Sequence, residues 1–540
     1  MRNIKINLTY PTWSGDPSSG TRMRGAAFAG GQLFQGIEAL HLPALSGSDR
    51  DWTEALLRLN GFWALVAQTD QELIASVDRI RGVPLFYGQC AGIFFLSDDA
   101  EWVRQQINSE RMDPIARDEF LLAGYVTGAD TLYPGVRQLQ AGEMLRVSFR
   151  NGTPEVKTTR WYRFIHAEPN QWSEIRLVEQ LREVTEASMR RLVEYANGRQ
   201  IVIPLSGGYD SRLIAVYLRK LKYPYVLCFT YGVAGNKEAA YSKKIADALE
   251  FKWEFVEYSE RSWRESWATS DAEKYRRFSA NHASLPHVQD WLAIKELQKI
   301  GRIKFDAVVV PGHSGDFVAG SHIPSFVFEK KDHTEASLLG SIVACHLSNS
   351  NLHGKSIDAN ELKARVRTRI NEPFEGTAIS FANLYELWDW QERQSKYIVN
   401  SVRVYEQFSL NWWLPLWDSE FLEFWQLIPL QLRKGRLWYK DWITLEYAST
   451  VGRSLSLAEQ ENASEQKDRL QFLRLMAKKI PKSFLNGLRK VRQKRGLDRH
   501  FLAFQGLITD GDVDGYISRE MNIIGIYSEL FIRGKWSGGN

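Results

Sequence analysis

With 540 residues the chain is too long for one ordinary hydrophobic core, so two or three domains are expected. Its 44% hydrophobic and 25% charged residues are those of a globular protein, and no apolar stretch reaches bilayer-spanning length. A net charge of +5 is too small to argue for nucleic acid by itself, and Cys90, Cys228 and Cys345 show no metal-ligand spacing. Reduced thiols, and an opening MRNIKINLTY without the apolar run of a signal peptide, make the cytoplasm the expected compartment.

Residues 1–150 read as β-rich, with short strand-like runs such as GFWALVAQTD, ELIASVDRI, AGIFFLSD and GEMLRVSFR between turn signals. Helical spacing appears over 51–59 and 114–122. Residues 151–175 lose periodicity and gather Pro, Asn and Gly, so they are the expected linker, between domains at 1–160 and 175–540. Beyond it helix and strand alternate. A helix at 174–196 leads to a strand at 200–205 and a helix at 212–221. Then come strand 225–231, helix 237–249, strand 252–258, a helix near 288–299 and strand 305–312. Apolar strands separated by amphipathic helices predict a parallel sheet covered on both faces. Residues 335–540 read as mainly helical. Within them 477–500 is strongly basic with interleaved apolar residues. A solvated surface helix is the plain reading there, and a patch for an acidic substrate, a nucleic acid or a membrane surface is the alternative.

The chemistry concentrates in IVIPLSGGYDSRLIAVYLRKL, 201–221. An apolar strand ends in Ser206-Gly207-Gly208, passes Asp210 and Ser211, and gives way to a helix. In a parallel sheet ligands bind at the carboxyl ends of strands, where exposed N–H groups at a helix start hold anions. Two glycines let the backbone approach a phosphate, and Ser206 and Ser211 donate further hydrogen bonds. Asp210 cannot hold phosphate directly, so it implies a bridging Mg²⁺. GxxxxGK[ST] is absent. A simple Gly-Gly turn is the structural alternative.

The SGGxDS stretch resembles the pyrophosphate loop of the ATP pyrophosphatase superfamily, whose members cleave ATP between the α and β phosphates. VVVPGHSGDFVAGSH, 308–322, resembles the second signature of asparagine synthetases, with Gly312 and Asp316 in place. LNWWLPLWD, 410–418, resembles their E-x-R-x-P-F-L-D segment at Pro415 and Asp418, and Lys440 matches the lysine of the stretch that follows. Arg393 and Lys396 match a family R-x-x-K. Upstream, residues 59–88 and 124–147 resemble the glutaminase domain. The resemblance implies an α/β fold: an N-terminal Ntn-type, glutaminase-like α/β sandwich, then a parallel-sheet, adenine-nucleotide α-hydrolase-like synthetase domain with a helical C-terminal part.

It also implies roles. ATP and Mg²⁺ are the cofactors. Ser206, Gly207, Gly208 and Ser211 hold pyrophosphate, Asp210 and Asp316 hold the metal, and the backbone of Phe229, Thr230 and Gly232 borders adenine. Lys440 stabilises the transition state. The substrates are a small-molecule, sugar or peptide carboxylate and an amine or ammonia; nucleic acid is not expected, and a homodimer is left open. Departures from the family pattern set further expectations. Arg2 stands where a working glutaminase carries a nucleophilic cysteine, as in the degenerate domain that β-lactam synthetases resemble. Phe317, Asn411 and Trp413 replace a Glu, a Glu and an Arg. His313 occupies the place of a catalytic Glu or Tyr, and is expected to be a general base oriented by Glu386, with Glu392 as the alternative partner. The expected activity is AMP-forming amide ligation without glutaminase. The alternatives are an asparagine synthase fed with external ammonia, an adenylating RNA-modification enzyme, and a non-catalytic binding homologue.

Overall fold

The computed structural model describes all residues except 1–2, 17–19, 37–41, 70–71, 331, 453–499, 509–511 and 538–540. Arg2 and the basic segment 477–499 therefore lie outside the described residues. In the N-terminal half two sheets stack face to face. The larger runs in the order Thr153–Arg160, Glu143–Arg150, Leu73–Val77, Asn60–Gln68, Thr21–Ala29, Ser14–Asp16, with Gln32–Phe34 also on Thr21–Ala29. The smaller runs Ile4–Asn7, Ile93–Ser97, Phe86–Cys90, Arg137–Gln138.

Alternation explains the layering. Ala64, Val66, Ala75 and Val77 point inward against Phe94, Leu96 and Leu85, while Trp63, Leu65 and Ile74 point outward. The helix Asp49–Leu57 covers that outer face with Trp52 and Leu56, and Ala100–Gln106 covers the smaller sheet with Ala100 and Val103. The order is helix, sheet, sheet, helix: the α/β sandwich expected. The helix Ala100–Gln106 had no periodicity long enough to be read in the sequence.

The expected linker is not one. Thr153–Arg160 is a strand paired with Glu143–Arg150 over its full length, and Trp161, Tyr162, Phe164 and His166 are buried. Pro and Gly there mark a hairpin turn and a packed crossing.

The second half holds a parallel sheet of five strands in the order Lys252–Glu257, Val226–Gly232, Ile201–Pro204, Val308–Val309, Asn411–Trp412. Chain order reverses between Ile201–Pro204 and Val308–Val309. That switch point opens a crevice outside the carboxyl ends of the two strands. The strand expected over 305–312 pairs only at Val308–Val309, with Val310 N–H donating to Val202 O at 2.8 Å before the chain turns away. Helices expected at 174–196, 212–221, 237–249 and 288–299 occupy Glu174–Ala196, Asp210–Lys220, Lys237–Ala248 and Trp291–Lys299. No helix of the described residues is long and apolar enough to cross a membrane.

Candidate active site

Both loops singled out in the sequence leave the sheet at this switch point. Ser206–Tyr209 joins Ile201–Pro204 to the helix Asp210–Lys220, which starts two residues earlier than its apolar spacing predicts, so Asp210 is its first residue. Hydroxyls brace the loop. Gly208 N–H donates to Ser206 Oγ at 3.1 Å, and Ser206 N–H donates to Ser211 Oγ at 3.3 Å. Gly208 itself is exposed at the helix mouth.

The second loop crosses very close to that helix start. A Cβ on Gly312 would lie 2.7 Å from Ser211 N, and one on Gly315 would lie 2.4 Å from the Tyr439 hydroxyl and 2.7 Å from Asp210 Oδ1. Neither position tolerates a side chain, and their bareness brings Asp316 beside Asp210. The Tyr439 hydroxyl donates to Asp210 Oδ1 at 3.0 Å. Burial, then the charge of Asp316, raises the Asp210 carboxyl above its usual range. Burial acts on Asp316 in the same direction, but the His322 hydrogen bond and the charges of His322, Arg436 and Arg393 outweigh it and hold Asp316 ionised.

Two carboxylates brought together against their own repulsion suit a divalent cation that completes its oxygen shell from phosphates and water. The described residues form no cage of three or more metal-ligating side chains, so such an ion would be shared with the substrate. Asp316 is held by a relay that sequence reasoning missed. His322 Nε2 lies 3.7 Å from Asp316 Oδ2, and its Nδ1 donates to Asp389 Oδ2 at 2.5 Å. Burial would lower the His322 pKa, but the charges of Asp389 and Asp316 raise it to about 10.

An asparagine synthase family model matches residues 180–443, and a glutamine amidotransferase domain model matches residues 48–162. The chain belongs to the asparagine synthetase family. No curated protein matches it. Among solved structures it is similar to glutamine phosphoribosylpyrophosphate amidotransferase from B. subtilis, complexed with ADP and GMP, at 11% identity over 55% of this chain and 63% of that one, with a TM-score of 0.19. It is also similar to a structure described as the allosteric regulatory enzyme of purine biosynthesis, at 14% identity over 46% of this chain and 62% of that one, again with a TM-score of 0.19. The chain thus spans less than two thirds of the length of either solved structure.

Several residues singled out by likeness to asparagine synthetases take other places. The expected His313–Glu386 pair does not form. Glu386 is fully buried on Arg433 and His166, with His166 Nε2 at 3.0 Å from its Oε2. Glu392 is no substitute, since its Oε2 receives Lys396 Nζ at 2.6 Å and Gly128 N–H at 2.9 Å. His313 bonds instead to the Ser401 hydroxyl at 2.9 Å. Burial, then the neighbouring His287, lowers its pKa to about 4, so the ring is neutral near pH 7.

The R-x-x-K pair also divides. Lys396 is fully buried, with its ammonium on Gly128 O and Val126 O of the N-terminal half, whereas Arg393 stays beside Asp389. Phe317 is fully buried against Phe164 and Trp417. Trp413 is buried against Tyr195 and Phe62, so this position of the motif serves packing. Asp418 accepts from Arg191 and Asn60 and caps the helix Ser419–Gln426.

Lys440 lies one residue beyond Tyr439 on the helix Leu437–Val451, with Nζ 5.9 Å from the Tyr209 ring centre. Of the residues expected to border adenine, Phe229 is buried in the core, and the Thr230 hydroxyl is tied to Leu205 O and Ser242 at 2.5 Å each. Only backbone is left there to face a nucleotide. Gly232, at φ +138°, is closely backed by Phe501 O.

Proposed function

We propose that this chain is an ATP-dependent carbon–nitrogen ligase that activates a carboxylate as its acyl-adenylate and passes it to an amine or ammonia, without hydrolysing glutamine itself. The observation that carries the reading is the convergence of Asp210 and Asp316 at the switch point, between a hydroxyl-braced Gly-Gly loop and Lys440. A substrate carboxylate oxygen attacks the α-phosphorus of ATP, and pyrophosphate leaves. The amine nitrogen then attacks the acyl carbon, AMP leaves with the carboxylate oxygen, and the nitrogen loses a proton.

Ser206, Ser211 and the N–H groups of Gly207 and Gly208 receive the pyrophosphate oxygens, as the start of a helix suits an anion. Asp210 and Asp316 would hold Mg²⁺, which when bound offsets charge on the phosphates. Lys440 and Arg436 add positive charge where the α-phosphorus gains oxygen. Neutral His313, with one ring nitrogen on Ser401, offers the other to the amine's proton. Glutaminase chemistry of this type needs a thiol joined to a free α-amine. Cys90, Cys228 and Cys345 are all internal, which supports an external nitrogen source. Three free cysteines also support a cytoplasmic location.

Exchange of labelled pyrophosphate into ATP, screened over a panel of carboxylates with Mg²⁺, tests the reading. At least one carboxylate is expected to support exchange, and Asp210→Asn to abolish it in a folded protein. Parental exchange in that variant would refute the assignment of the loop.

A further inference from the structure

Where the helix Pro114–Ala123 of the N-terminal half meets the C-terminal helix Ile523–Ile532, the rings of Phe120 and Phe531 stack at 5.6 Å. Next to that contact, at Leu121 and Ile532, opens a cavity of about 340 Å³. The loop that joins Glu335–His346 to Ala359–Ile370 borders it on a third side. None of its residues belongs to the loops at the switch point of the parallel sheet.

The charge of this cavity is one-sided. Arg117, Lys355, Arg519 and Arg533 line it against the carboxylates of Asp118 and Glu529. Both carboxylates are already engaged. Asp118 is buried, and it accepts Arg117 Nη2 at 3.0 Å through Oδ1 and the Ser356 N–H at 2.5 Å through Oδ2. Glu529 accepts Arg519 Nη1 at 3.0 Å and is paired with Arg533 as well. A further carboxylate, Asp512, is half exposed and approaches Arg519 Nη2 only to 3.7 Å.

Lys355 is left over. Its ammonium makes no hydrogen bond or ion pair with any described residue, although Asp118, Glu529, Arg117 and Arg519 all act on it electrostatically. Burial is the largest influence, and it lowers the Lys355 pKa in spite of the two carboxylates. A half-buried ammonium that the chain itself does not compensate, set among three arginines, gains most from a ligand that brings negative charge. The cations arrive from separate elements rather than from one fork, which suits the several oxygens of a phosphate better than a planar carboxylate. A phosphate monoester, at roughly −2 near neutral pH, offsets their excess over the two acids. Leu121 and Met521, both buried, give the cavity an apolar wall for a short carbon body, and its size is at the lower end of small-ligand pockets.

We propose that this cavity is a second ligand site, separate from the ligase centre, which binds a small phosphate monoester on Lys355 and the arginines around it. Bound there, the ligand bridges the helix Pro114–Ala123, the loop that carries Lys355 and the helix Ile523–Ile532. It thereby ties the N-terminal half to the C-terminal helices and stabilises the folded chain in proportion to its occupancy.

Titration calorimetry of the full chain with glycerol 3-phosphate, at low ionic strength and without ATP, tests the site. Glycerol and citrate serve as the uncharged and the polycarboxylate control. Glycerol 3-phosphate should bind more tightly than either. Lys355→Met should weaken that binding by about 10- to 100-fold, the usual loss of a charge-assisted hydrogen bond, and Arg117→Gln by a smaller factor. Ser206→Ala, on the loop assigned to pyrophosphate, should bind as the parent does. The ligand should also raise the melting temperature of the parent, and raise that of Lys355→Met less at the same concentration. If Lys355→Met does not fold, Lys355→Gln and Arg117→Gln carry the same comparison. Equal affinity in the parent and the Lys355 variant would overturn the site, as would citrate binding as tightly as the phosphate ester. So would binding that is lost in Ser206→Ala but kept in Lys355→Met, or no binding of glycerol 3-phosphate by the parent.

Discussion

Replacing Glu386 by Gln distinguishes a catalytic carboxylate from a structural one. Its Oε2 faces both Arg433 Nη1 and His166 Nε2, and all three side chains are 0% exposed. Burial opposes the charge on Glu386, but Arg433 and His166 outweigh it and lower its pKa. The cluster is already short of partners: Glu386 Oε1, His166 Nδ1, and Arg433 Nε and Nη2 have none among the described residues. Gln keeps the volume and removes the charge, leaving the Arg433 guanidinium buried and uncompensated. Breaking a buried pair in this way costs about 3–5 kcal/mol. At an unfolding entropy of roughly 2 cal/mol/K per residue, spread over several hundred cooperative residues, that lowers the first unfolding transition by roughly 3–6 °C. Calorimetric melting reads the loss, and pyrophosphate exchange per folded molecule at 20 °C should stay within about twofold. The double variant Glu386→Leu, Arg433→Met should recover most of the loss, since an apolar replacement of the whole pair removes the uncompensated charge. An unchanged transition together with lost amide formation would restore Glu386 to the catalytic centre and refute the argument.

Lys440→Met should leave Mg·ATP binding intact, while turnover falls by about two to three orders of magnitude, the usual effect of removing one group that stabilises developing charge. Comparable turnover would pass the role to Arg436. Purified chain should release no glutamate from glutamine above a no-enzyme blank, and release above that blank would show a working glutaminase. Stability should fall as the pH drops from about 6.5 towards 4. His166, His287, His313, His346 and His500 are all lowered by burial, so the folded state resists protons that the unfolded chain takes up. The stability these rings contribute is present above the unfolded pKa and is lost as pH falls through the folded values, about 4 for His313 and His346. A melting temperature unchanged between pH 7.5 and 5 would contradict it.

The Gly-Gly loop between strand and helix, the parallel sheet around it and the family were legible in the residues, because each depends on local rules. A buried parallel strand must be apolar, a chain approaching an anion must be bare, and a helix start must offer N–H groups. These rules act within the twenty residues around Ser206, and again around Asp316. The partners of the buried charges were not legible. Nothing local says that Glu386 turns to Arg433 and His166 rather than to His313, since three elements far apart in sequence meet there. The π-helix Trp390–Ile398 adds to the difficulty, because its wider turn departs from the spacing that an α-helical reading assumes. His322 and Asp389 lay in stretches that were read, but only the fold placed one ring between two carboxylates. Pairing among buried ionisable groups is settled by whichever charges packing forces out of water together, and that is a property of the tertiary structure alone.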